Sequence, residues 1–252
     1  MSKQLHQAPP KDLTANQFTL SASAAKEFGR LLAKLNSFEN FTYISIRDSK
    51  INQPLTGTGV FVETDITNLI GPGRNAGFML SKTSLAKVKK LLSSSQTSIS
   101  HDRDANAYWF RTGHKTEKLT TIEDVGDAMP CAPVFTEDQY LGAPVVVADI
   151  LDLQEYIGKA SFAWLLVYSG QLEQILTHDR EAPYTLKKDG AGSLTGKKPD
   201  QVFTCRSFLT IAEKNTKLKL ARNDKGMWLV TETKLNSKSG MMKIYQLLTD
   251  NS

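Results

Sequence analysis

One pattern constrains this chain more than any other. A short apolar strand, an amphipathic helix and then several strand-like runs recur four times along its 252 residues. The opening strands fall near Phe18, Phe78, Val146 and Phe203, a spacing of roughly 60 residues that exceeds the usual solenoid periods. The first repeat reads QFTLSA, a helix around 22–35, then FTYISIRDS, GTGVFVETD and a third strand at ITNLIG. The second runs AGFMLSK, the helix TSLAKVKKLL, then TSISHD, NAYWFRTG and EKLTTIED. The third is APVVVAD, ILDLQEYIGKA, FAWLLVYSG, LEQILTHD and APYTLKKD. The fourth is DQVFTCR, a short helix SFLTIAEKN, then TKLKLARND, GMWLVTETKL and GMMKIYQLL, with Asn223–Gly226 as a hairpin turn. Alternating runs such as Tyr43-Ile44-Ser45-Ile46 predict antiparallel sheets buried on one face. Within residues 125–143, Pro130 and Pro133 interrupt any periodicity, so this stretch reads as a connector between two pairs of repeats. The expected division is a flexible leader at 1–16, domains at 17–124 and 144–252, and the connector between them.

Charge then asks what the helices face. The chain carries 31 basic against 26 acidic residues, a net +5, so the placement of cations matters more than their number. On a helix at about 100° per residue, Phe28, Leu31, Leu32 and Leu35 gather on one side and Lys26, Arg30 and Lys34 on the other. The second helix buries Leu85, Val88, Leu91 and Leu92 and leaves Lys82, Lys87 and Lys90 elsewhere, with Lys89 at the border. The fourth offers Arg206, Lys214 and Lys217 against Glu213, whereas the third exposes Asp152, Glu155 and Lys159 and fits an anionic target poorly. A charged outer face is the default for any one helix; basic faces on three of four point to a shared polyanion, held through phosphates without base readout.

Enzyme signatures do not survive inspection. GPGRNAG and TGTGV read as turns, and DGAGSLTGKK lacks the serine or threonine and the helix that a phosphate loop requires. The four histidines have no metal-ligand spacing, and Asp102 and Asp104 beside His101 fall in a turn that favours aspartate for backbone reasons. Cys131 and Cys205 read as reduced thiols, and no apolar run reaches the length of a membrane span. No catalytic residue, metal or cofactor is expected.

The order of elements, most specifically FMLSKTSLAKVKKLL followed by TSISHD, AYWFRTG, EKLTTIED and MPCAP, resembles the DNA sliding clamps, the polymerase processivity factors. The resemblance covers about residues 17–248. It implies an α+β clamp fold of two similar domains, each made of two strand-helix-three-strand units, with helices on an inner face and antiparallel sheets outside. The two-domain length is similar to the trimeric clamps of archaea, eukaryotes and T-even-like phages, so a homotrimeric ring around double-stranded DNA is implied. Implied partners are a DNA polymerase and a clamp-loader ATPase, in the cytoplasm of a bacterial or phage-infected cell. The resemblance also implies a hydrophobic partner-peptide pocket near the connector, for which Val134, Phe135, Tyr140 and Leu141 are candidates, as against packing on their own domain. Edge strands would close the ring, with GMMKIYQLL and the exits of the second and fourth repeats as candidates. The alternative is a DNA-binding processivity or single-strand-binding factor that forms no ring.

Overall fold

The computed structural model describes residues 18–36, 41–55, 60–93, 95–102, 104–121, 132–147, 149–158, 160, 162–186, 197–206, 216–234 and 240–250. Contacts divide the chain into two compact units, Met1–Ile51 with Asp65–Met129, and Asn52–Thr64 with Pro130–Ser252.

The first unit opens with β1 (Phe18–Leu20) and α1 (Ala22–Asn36), followed by β2 (Phe41–Arg47) and the start of β3 (Lys50–Leu55). After β4 (Val60–Asp65) it resumes with α2 (Thr67–Ile70), β5 (Ala76–Ser81), α3 (Lys82–Leu92), β6 (Thr97–Asp102), β7 (Ala107–Thr112) and β8 (Lys115–Thr120). The expected strand at ITNLIG is instead the single helical turn α2, entered through the Thr67 amide donating to Asp65 Oδ1 at 2.9 Å. The strand β3 was not anticipated, because Asn52, Gln53 and Pro54 interrupt its apolar character. Its turn also carries no glycine: Asp48 and Ser49 both take positive φ, 45° and 60°. The surrounding loop holds them there, since Ser49 donates from its hydroxyl to Gly71 O and accepts from Arg74 N at 3.0 Å.

Strand exchange binds the two repeats into one unit. The strand opening the first repeat, β1, pairs with β6 of the second, while β5, opening the second, pairs with β2 of the first. Neither repeat can complete its sheet alone. Under these sheets α1 buries Phe28, Leu31, Leu32 and Leu35, and α3 buries Val88, Leu91 and Leu92. A Cβ on Gly29 of α1 would sit 3.3 Å from Leu92 Cβ, so glycine lets the two helices pack flank to flank. Phe78 of β5 meets Phe110 of β7 edge-on at 5.5 Å and Tyr108 at 5.7 Å.

The second unit repeats the device. It comprises β4, a 3-10 turn at Glu137–Gln139, β9 (Tyr140–Val146), α4 (Ile150–Ile157), β10 (Phe162–Tyr168), β11 (Gln171–Thr177) and β12 (Tyr184–Thr185). Then follow β13 (Gln201–Arg206), β14 (Lys217–Asn223), β15 (Gly226–Lys234), β16 (Met241–Leu247) and β17 (Thr249–Asp250). Again the opening strands cross over, β9 onto β14 and β13 onto β10. One sheet runs β12-β11-β10-β13-β17, and another includes β4-β16-β15-β14-β9. The expected Asn223–Gly226 hairpin joins β14 to β15, with Gly226 at φ 129°. Two expectations need correction. The GMMKIYQLL strand, β16, is not an edge, because β15 and β4 pair with it on either side. Residues 140–143, read as connector, lie in β9, whose bulge at Gly142 disguises it. That glycine sits at φ 66°, and a Cβ there would meet the Gly170 carbonyl at 2.8 Å.

One carboxylate in the first unit, that of Asp102, holds a turn and a tryptophan in place. Asp102 is buried and accepts from Ala105 N at 3.0 Å and from the Trp109 indole at 3.2 Å. The Ala105 amide above all, then the indole and Lys118, hold its carboxyl below the usual range against the opposing effect of burial. Since the folded pKa lies below the unfolded one, its stabilisation is complete above about pH 4 and is lost as pH falls through the depressed value. Asp102→Asn is therefore expected to lower stability at pH 7 by about 1–3 kcal/mol. The gap from wild type should narrow progressively as pH falls below about 4, as read from urea midpoints at each pH.

Candidate nucleic-acid interface

The basic surface lies on α1 and α3. Ser21 starts α1 by accepting from Ala24 N at 3.3 Å, and Ser81 and Ser84 form a reciprocal capping box at the start of α3. With the helix phases set in this way, the apolar stripes turn inward and the cations outward. Lys26 and Arg30 are exposed on α1, and Lys34, a turn further on, is half-buried. Lys82, Lys89 and Lys90 are exposed on α3. Because the helices pack flank to flank, these side chains share one surface, and the single acid of the two helices, Glu27, is half-buried.

Lys87 differs from its neighbours. It leans off the flank of α3 toward β8, where its Nζ lies 3.2 Å from Glu117 Oε1. Sequence spacing could not reveal this partner, which sits on a strand 30 residues away.

The second unit contributes less than expected. The fourth helix, with Lys214, falls outside the described residues, as does Lys159. Arg206 ends β13 and Lys217 opens β14, so both are strand residues and not helical cations. On α4 the exposed side chains are Asp152 and Glu155, as the sequence suggested, together with Leu151, which it did not. The helix is capped by Asp149, which accepts from the amides of Leu151 and Asp152, both at 3.1 Å. At its other end Arg180 donates to the Tyr156 and Glu155 carbonyls and lies over the Tyr156 ring.

The connector candidates separate cleanly. Phe135 and Tyr140 join a cluster with Trp228, Tyr245 and Phe61, the Phe135 ring standing 5.8 Å from Tyr140, 6.2 Å from Trp228 and 6.3 Å from Tyr245. Leu141 is half-buried on β9, while Val134 is 88% exposed beside the cluster. Ala132, whose amide donates to Asn52 Oδ1 at 3.2 Å, pins the end of the connector to the same sheet. Lys219 bridges Glu232 at 3.0 Å and lies over the Tyr140 ring at 5.1 Å. Burial, then Glu63, pushes the Tyr245 hydroxyl well above its ordinary range. Trp228, Tyr245 and Phe61 were missed as members of this surface. The signal was the unbroken Met227–Thr231 run, buried on both faces of β15, which requires something to cover the side away from the core.

No family model and no curated protein matches the chain. Solved structures do. A proliferating cell nuclear antigen (PCNA) of A. fulgidus bound to the C-terminal region of FEN-1 superposes with a TM-score of 0.56 at 11% identity, over 94% of this chain and 99% of that one. PCNA from Entamoeba histolytica gives 0.56 at 12%, over 92% and 98%. The Helicobacter pylori beta clamp gives 0.58 at 12%, over 94% of this chain but 64% of the longer clamp. With the crossed strand-helix-strand repeats and their α+β architecture, these likenesses identify the fold as that of the DNA sliding clamps.

Proposed function

We propose that the chain is a non-enzymatic sliding clamp that encircles duplex DNA and tethers a replicative polymerase, within a homotrimeric ring of two-domain chains. The observation that carries this reading is the surface of α1 and α3, with Lys26, Arg30, Lys82, Lys89 and Lys90 exposed and no fully exposed acid, in a chain of clamp fold. Flexible ammonium groups act as point charges on phosphates and demand little geometry, which suits a protein that must hold DNA and move along it. The three tryptophans favour the clamp over a single-strand binder. Trp109 and Trp228 are buried and Trp164 is half-buried, so none offers an open platform for stacking a base.

In this reading the aromatic cluster around Trp228 receives partner peptides. Support comes from the exposed Val134 beside it and from the archaeal relative, which was solved with a C-terminal region of FEN-1. A separate clamp-loader ATPase would open the ring. Light scattering of the purified protein together with DNA retention tests the proposal. The expected result is a mass near three chains, with retention on nicked circular DNA and loss from linear ends. A monomer at all concentrations that holds both DNAs alike would sink it.

A further inference from the structure

A pair of buried hydroxyls ties the last turn of α3 to the sheet beneath it. Thr97 opens β6 and Thr112 ends β7, and their Oγ1 atoms lie 2.8 Å apart. Thr97 is wholly buried and Thr112 is 6% exposed. Each hydroxyl has one hydrogen to donate, and two carbonyls beyond the pair are in reach. Thr112 Oγ1 stands 3.3 Å from Leu91 O, in the last turn of α3. Thr97 Oγ1 stands 3.3 Å from Ser95 O, in the loop that leaves the helix. Whichever way the hydrogens run, the pair fastens either the end of α3 or its exit to the strands. The pair recurs in the second unit, where the Oγ1 atoms of Thr216 and Thr233, both buried, are 2.9 Å apart, so it belongs to the repeat and is no accident of one strand end.

Valine would fill the same space without burying a hydroxyl, so what the threonines bond has to account for them. Their bond to α3 completes a set. Ser93 N donates to Lys89 O at 3.0 Å, Ser93 Oγ donates to Lys90 O at 2.9 Å, and Thr112 Oγ1 reaches Leu91 O. Three successive carbonyls are thus engaged among those that an α-helix leaves without intrahelical donors. These carbonyls carry the negative end of the helix dipole, about half a charge, and left open they would repel a phosphate. The same turn carries the exposed Lys89 and Lys90. Helix ends fray, and a frayed turn no longer holds its side chains at a fixed spacing.

We propose that Thr97 and Thr112 are positioning residues for DNA binding, which hold the last turn of α3 against β7 so that Lys89 and Lys90 meet phosphates from a fixed place. This rests on the DNA-binding reading above and adds to it a buried pair that itself touches no DNA. The lysines supply the attraction, and the hydroxyls keep the turn wound and its carbonyls engaged while the lysines are drawn outward. Loss of the hydroxyls should therefore weaken phosphate contact at this turn alone and leave the cations of α1 and of the start of α3 in place.

A cycle of variants in the full chain tests the assignment, read by fluorescence anisotropy on a DNA duplex across a salt series. Lys89→Ala with Lys90→Ala should lower the slope of log K against log salt by about 2, since each phosphate contact contributes about 0.9. Thr112→Val, which keeps the shape and removes the hydroxyl, should lower it by about 1–2 on its own and by nothing further in the lysine double variant. Thr112→Ser should restore the wild-type slope. Amide exchange at Leu91, Leu92 and Ser93 should quicken on the order of tenfold in Thr112→Val, with Val88 much less affected. Trp109→Phe is the control for mere destabilisation: it loses the indole bond to Asp102, on the other face of β7 from Thr112, and should keep the wild-type slope. Circular-dichroism melts establish folding, and Thr97→Val stands in if Thr112→Val does not fold. If the lysine variant lowers the slope but folded Thr112→Val does not, serine fails to restore it, or Trp109→Phe lowers it as much, the positioning role is wrong while the DNA reading stands. An unchanged slope in the folded lysine variant removes this turn from the DNA surface, and the positioning role with it.

Discussion

Alanine at Lys26, Arg30, Lys82 and Lys90 together is expected to weaken binding to duplex DNA and to flatten its dependence on salt, with folding intact. All four side chains are exposed on the outward faces of α1 and α3, and their removal opens no cavity. Lys82 stands at the first position of α3, where a cation opposes the helix dipole, so its loss is neutral or slightly favourable to the helix. Each phosphate contact contributes about 0.9 to the slope of log K against log salt, so four lost contacts lower the slope by about 3–4. Between 50 and 200 mM salt that difference alone amounts to on the order of a hundredfold. Fluorescence anisotropy across a salt series gives the slope directly. An unchanged slope in a folded quadruple variant would show that these faces do not meet phosphate, whatever else the protein binds. Lys87→Ala serves as the internal control, since its flank position and its bridge to Glu117 remove it from this surface.

The basic helices were legible in the sequence because helical periodicity is a local property. Phe28, Leu31, Leu32 and Leu35 declare the buried side of α1, and the cations follow by exclusion. What escaped was whatever depends on contacts distant in the chain. The pairing of β1 with β6 and of β9 with β14 joins segments some 70 to 80 residues apart, and no strand pattern names its partner. The same blindness made β16 look like an edge, when β4 covers it on one side. Other misses were chemical. A turn built from Asp48 and Ser49 lacks the glycine that signals a hairpin, so β3 was lost. A short apolar run such as ITNLIG does not distinguish a strand from a helical turn, and the Asp65 carboxylate receiving the Thr67 amide decided it. Gly142 and Pro144 read as connector because a bulged edge strand uses the same residues as a loop.

Trp228→Ala should be the most damaging single substitution in the second unit, at about 3–5 kcal/mol. The side chain is only 3% exposed, forms the floor under Phe135 and Phe61, and donates its indole N–H to Asn223 Oδ1 at 2.8 Å. Its loss leaves a cavity that Phe135 cannot fill, because Ala132 is fixed to Asn52 and Tyr140 is held in β9. For a unit of this size each kcal/mol moves a melting midpoint by about 2–4 °C, so a drop of about 10 °C is expected. With two compact units, only the transition belonging to the second should shift, which differential scanning calorimetry resolves. Trp228→Phe separates the two contributions. It keeps an aromatic floor and removes only the bond to Asn223, whose oxygen still accepts the Lys225 amide at 3.0 Å, so about 1 kcal/mol is expected. The alanine variant should also expose the connector to proteolysis near Val134, since Phe135 has lost one of its three ring contacts. If Trp228→Ala melts as wild type and Val134 stays protected, the cluster does not anchor the connector. A peptide-binding role for that surface would then need another floor.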